Sequence, residues 1–131
     1  MIKNKEYHSL FMDFSSMYEG NHHPSDIDMF YLGRNRILIL GEIKNERGEL
    51  HKGQRRLLEI LAEGWKNDAI CLYIVHRKYY QRGDRSVNVA ECYVREIYYK
   101  KIHQWVFPKR PTKVKEIIEY YGEDNERKEN N

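Results

Sequence analysis

Two short runs constrain this chain more than any other feature. Ile37-Leu38-Ile39-Leu40 and Ile70-Cys71-Leu72-Tyr73-Ile74-Val75 are unbroken apolar stretches of strand length. A strand that alternates polar and apolar residues buries one face, whereas a continuously apolar strand is buried on both. Between the two runs, Gln54 to Lys66 places Leu57, Leu58, Leu61 and Trp65 at helical spacing. A strand, a helix of about a dozen residues and a second strand predict a crossover that leaves the strands parallel. The predicted fold class is therefore α/β, a mixed β-sheet flanked by helices in α-β-β-α-β order.

The first run also belongs to a predicted hairpin. Asp28 to Leu32 and Arg36 to Lys44 are rich in aromatic, β-branched and Leu residues, and Gly33-Arg34-Asn35 between them is a turn signal. A three-residue loop of Arg34, Asn35 and Arg36 lets Asn35 take the left-handed backbone it tolerates. Opposed residues then have a constant index sum of 70, which sets Asp28 opposite Glu42. Side chains alternate along a strand, so Asp26 shares the face of Asp28 and Lys44 that of Glu42. Two carboxylates and a lysine thus gather at the strand ends. Mg²⁺ takes oxygen ligands and keeps several waters, so two carboxylates and a main-chain carbonyl suffice to hold it. The lysine is suited to orient or deprotonate an attacking water, or to stabilise charge developing on a phosphate. The competing reading is a set of solvated ion pairs of little energetic value. Against it, these charges close a strand buried on both faces.

Asp28, a gap of fourteen to Glu42, then Ile43 and Lys44, resembles the core motif of the PD-(D/E)XK nuclease superfamily. The entry Pro24-Ser25-Asp26-Ile27-Asp28 and the following helix with Gln54 look similar to that family as well, and the likeness spans roughly Met17 to His76. The resemblance implies a restriction-endonuclease-like core. It implies that Asp28 and Glu42 hold Mg²⁺ or Mn²⁺ with the Ile43 carbonyl, that Lys44 acts on the attacking water, and that Gln54 contacts the site or the scissile phosphate. Many members carry a further Glu on the first helix, for which Glu19 and Glu6 are both candidates. Asp26 is an alternative or accessory ligand.

The rest of the chain frames this stretch. At 131 residues it is predicted to form one domain over positions 1–121, followed by a polar, disordered tail over 122–131. No run of about eighteen apolar residues marks a membrane span, and Met1 to Glu6 lacks an apolar signal core. The two cysteines, Cys71 and Cys92, lie in apolar strand-like runs. They read as buried thiols of a cytoplasmic protein, and the four-cysteine iron–sulfur set of some nuclease relatives is missing. Asn4 to Glu19 reads as a helix with an aromatic face, and His22 and His23 in the loop after it are candidate substrate contacts. Asn45 to Gly53 reads as a polar loop and Val87 to Tyr99 as further strand. Trp105 to Pro111 is expected to be irregular, and a last helix is expected from Pro111 or Thr112 to Tyr121.

Net charge is only +3, but it is unevenly spread. His76 to Lys115 holds eleven Lys or Arg against three acids, a surplus of +8 that leaves the remainder at −5. Tyr79, Tyr80, Tyr98, Tyr99 and Trp105 are interleaved with that charge. Lys and Arg neutralise phosphates and exposed aromatics stack on unpaired bases, so nucleic acid is the expected partner. Lys52, Arg77, Lys78, Arg82 and Arg85 are the candidate contacts. The functional expectation is a metal-dependent DNA endonuclease that is structure- or end-specific, acting on branched, nicked or ended duplex, with RNA as a weaker option. Small stand-alone members of the family include junction resolvases, which need two sites and hence a homodimer, and phage-borne nucleases. The alternative is a non-catalytic module on the same fold that binds nucleic acid or protein.

Overall fold

The continuous apolar runs become the two central strands of a five-stranded sheet. The computed structural model describes residues 27–77 and 87–122. In chain order these form β1 (Met29–Leu32), β2 (Leu38–Asn45), α1 (Lys52–Gly64), β3 (Ala69–His76), β4 (Tyr93–Tyr99), β5 (Gln104–Val106) and α2 (Val114–Tyr121). The sheet order is β1-β2-β3-β4-β5. β2 and β3 are parallel, from Leu38 opposite Ala69 to Asn45 opposite His76, and α1 is their crossover. The other neighbours pair antiparallel. The architecture is thus α/β with a mixed sheet.

The β1–β2 hairpin has the predicted register, running from Met29 opposite Gly41 to Leu32 opposite Leu38. Its turn is closed by the Gly33 N–H donating to the Ile37 carbonyl at 2.9 Å. Asn35 is left-handed at φ 58°, and so is Arg36 at φ 61°. Gly33 has no room for a side chain, because a Cβ there would strike the Tyr121 carbonyl of α2.

Each face of β2 and β3 meets one helix. Ile37, Ile39, Ile70, Leu72 and Ile74 pack with Val94 and Ile97 beneath Val114 and Ile117 of α2. Leu40, Ala69, Cys71, Tyr73 and Tyr98 pack beneath Leu58 and Ala62 of α1. Full burial of one Leu or Ile side chain contributes about 2 kcal/mol, so these two clusters are the main source of stability. The far end of α1 is tied down by polar contacts. The Trp65 indole N–H donates to the Arg36 carbonyl at 2.8 Å, and the Lys100 ammonium donates to the Asn67 carbonyl at 2.8 Å and to that of Trp65.

Several sequence expectations need correction. The packing face of α1 is centred on Leu58 and Ala62, while Leu61 is 37% exposed. Trp105 is not irregular but lies in β5, paired with Tyr98. Val89 to Glu91 is a turn of 3₁₀ helix, and strand begins only at Tyr93. The last helix starts at Val114, where the Lys113 N–H donates to the Glu116 carboxylate at 2.8 Å. Pro111 and Thr112, the expected starts, lie before it, and the Thr112 hydroxyl donates to the Arg110 carbonyl. Gly122, placed by the sequence in the polar tail, is buried. The expected helix from Asn4 to Glu19 lies outside the described residues. Among the described residues, no helix is long and apolar enough to cross a membrane.

Candidate active site

The site grows from the alternation of β2. Leu38 and Leu40 face α1, so the next residues in that row, Glu42 and Lys44, face the same way. The row turns from apolar to charged at the carboxyl end of the strand. Glu42 is 6% exposed, and it is the buried charged side chain among the described residues. A carboxylate at such a position is stable only with donors or a cation around it. Lys44 is half-buried.

Asp28 lies one residue before β1, next in the hairpin register and so opposite Glu42. It is exposed, and its Oδ2 accepts the Ile43 N–H at 2.7 Å. Within a strand, the N–H and C=O of one residue leave on the same edge. The Ile43 carbonyl therefore leaves β2 on the Asp28 side. Two carboxylates and this carbonyl are a donor set that suits a hard cation retaining several waters. Among the described residues, no group of three or more His, Cys, Asp or Glu is placed to hold a metal.

Gln54 lies in the first turn of α1. Its Oε1 accepts the His51 N–H at 3.2 Å, so this side chain closes the helix start. Lys52 is exposed on the same turn, and exposed Arg77 pairs with Glu46 at 3.1 Å. Asp26, Glu19, Glu6, His22, His23, Lys78, Arg82 and Arg85 lie outside the described residues.

The structure adds neighbours that were not read from the sequence. Tyr73 is the β3 partner of Glu42. Its hydroxyl donates to the Gly48 carbonyl at 3.1 Å and accepts from Arg95 Nη1 at 3.3 Å. The Arg55 guanidinium grips both oxygens of Glu96, at 3.2 and 2.5 Å. It also lies over the Trp105 ring at 4.8 Å and the Tyr73 ring at 5.8 Å. The bond to Glu96 holds the Arg55 pKa above its ordinary value. Parallel pairing of β2 and β3 was legible and would have pointed to Tyr73; the residues from β4 carried no such signal.

Two of the aromatics expected to stack on bases are structural. Tyr98 is buried and donates to Glu63 at 2.7 Å, and its ring meets Trp105 at 5.5 Å between centroids. Burial, with the Glu63 bond second, pushes the Tyr98 pKa up. The indole of Trp105 donates to Glu59 at 2.8 Å.

Compared with known proteins, the chain matches no family model, no curated protein and no solved structure. The functional reading therefore rests on these residues and their arrangement.

Proposed function

We propose that this chain is a metal-dependent DNA endonuclease of the PD-(D/E)XK type. The observation that carries the reading is the hairpin register. It sets Asp28 opposite Glu42, with Lys44 two residues on, at the carboxyl end of a strand buried on both faces. An antiparallel hairpin carrying these residues, then a helix, then a parallel strand, is compatible with the core that the resemblance implies.

In this reading Asp28, Glu42 and the Ile43 carbonyl would hold Mg²⁺ or Mn²⁺. The ion, when bound, supplies Lewis-acid polarisation of a phosphoryl oxygen. Lys44 makes no ion pair among the described residues. Its ammonium is therefore available to orient the attacking water or to oppose charge growing on the phosphate. Gln54 closes the helix start with its oxygen and has its amide N–H groups left to donate to a phosphate.

The test is cleavage in Mg²⁺ and in Mn²⁺ of linear duplex, single strand, flap, four-way junction and RNA, with Lys44→Ala beside the wild type. Cleavage that disappears with Lys44→Ala and with EDTA supports the reading, and the preferred substrate names the role. No cleavage of any substrate, with equal DNA binding by both proteins, overturns it in favour of a binding module.

A further inference from the structure

β4 does not pair evenly with β3. Tyr73 is opposite Glu96 and Ile74 is opposite Val94, so Arg95 is the extra residue of a β-bulge. A bulge re-aims a side chain that regular alternation would send elsewhere. Here it sends Arg95 toward Tyr73, with its guanidinium 5.5 Å from the ring centroid and Nη1 on the hydroxyl. Tyr73 is the register partner of Glu42, so Arg95 is linked through one strand to Glu42 at the same end of the sheet.

The charge balance of Arg95 is unusual for a half-buried arginine. It forms no ion pair among the described residues, and its hydrogen bond to Tyr73 uses one of its five N–H donors. The nearest acid on its own strand, Glu96, is engaged by both nitrogens of Arg55. A ring face attracts a cation but does not neutralise it. Arg95 also lines a crevice of about 350 Å³ at the carboxyl end of β3, with His76, Arg77, Asn88 and Tyr93. That volume is within the range of small-ligand sites. His76, whose buried Nδ1 has no hydrogen-bond partner among the described residues, is another residue of that lining. Glu91, the acid on this wall, is held by Lys113 at 2.7 Å and Lys115 at 2.9 Å. A guanidinium with no ion pair among the described residues, lining a crevice of this size, describes a site for an anion.

We infer that Arg95 binds a phosphate of the nucleic-acid strand lying across Asp28, Glu42 and Lys44, with the adjoining sugar in the crevice beside His76. The inference rests on the nuclease reading for its ligand, but the anion site can be tested separately. Binding of a fluorescein-labelled duplex is measured in EDTA, where cleavage is off, across a salt series. Arg95→Met and Arg95→Lys are compared with wild type, and thermal melting verifies that each is folded. Arg95→Met is expected to weaken binding about tenfold and to lower the slope of log K against log salt by about 0.9, the loss of one phosphate contact. Arg95→Lys, which keeps the charge, is expected to retain the slope. Unchanged affinity and slope in Arg95→Met overturn the inference, while cleavage by wild type in Mg²⁺ leaves the nuclease reading standing. A pyrophosphate titration followed on the arginine Nε–H resonances separates the two claims further. A shift confined to Arg95, in a protein that neither binds nor cuts DNA, supports the anion site and removes the nuclease. No shift, with no DNA binding, overturns both.

Discussion

Asp28 offers the sharpest separation of structure from chemistry. Its Oδ2 accepts the Ile43 N–H at 2.7 Å in an exposed position. A charge-assisted bond of this kind, open to water, contributes about 1 kcal/mol net. In a chain of 131 residues, 1 kcal/mol shifts the melting temperature by roughly 3–5 °C. Asp28→Ala removes the acceptor and is expected to lower the melting temperature by about that amount. Asp28→Asn keeps an amide oxygen at the same place, so its stability is expected within about 0.5 kcal/mol of wild type. The chemistry behaves differently. Both substitutions remove one of the two carboxylates, and losing an outer partner of a metal ligand already costs about 10–100-fold. Losing the ligand itself is expected to weaken Mn²⁺ binding at least tenfold, about 1.4 kcal/mol, and cleavage by about a hundredfold or more. Calorimetry with Mn²⁺, thermal melting and the duplex cleavage assay would be run on all three proteins. An Asn variant that binds Mn²⁺ and cuts DNA like wild type would refute the reasoning. Asp28 would then be only a cap for the Ile43 N–H.

Two further outcomes follow from the packing and the charges. Leu58→Ala is expected to cost about 2–5 kcal/mol because the side chain is 2% exposed beneath α1, while Leu61→Ala, at 37% exposed, is expected below about 1 kcal/mol; denaturant titration decides, and equal losses would contradict the helix face described above. Lys113, then Lys115, lower the Glu91 pKa from 4.5 to about 2. A carboxylate lowered on folding adds stability above its unfolded pKa and loses it as pH falls. Melting temperature is therefore expected to drop between about pH 4.5 and pH 2, with the drop reduced in Glu91→Gln and in high salt.

Much of the fold is legible residue by residue. The continuous runs at Ile37–Leu40 and Ile70–Val75 demand burial on both faces, and the parallel β2–α1–β3 unit follows. The hairpin register follows from Asn35, whose tolerance for φ 58° centres the turn. Where local pattern misled, tertiary contact had overridden it. Leu61 outranks Ala62 in hydrophobicity, yet Ala62 is fully buried, because a small side chain lets α1 approach the sheet closely. Three residues around Trp105 carry no period, and become β5 only because the edge of β4 is there to pair with. Gln54, conspicuous in the sequence as a site residue, is occupied in part by the helix start it belongs to.

The candidate site divides the same way. Asp28, Glu42 and Lys44 are brought together by alternation and register along one hairpin, quantities that a linear sequence contains. Their neighbours Tyr73, Arg55, Glu96 and Arg95 come from three other elements. Tyr73 arrives through the crossover, and Arg95 through a bulge whose position no local period encodes. Strand alternation is a property of the backbone alone, so the sequence by itself determined which side chains share a face. A bulge is a compromise between the registers of two paired strands, so only the tertiary structure decided that Arg95 turns onto Tyr73, the strand partner of Glu42.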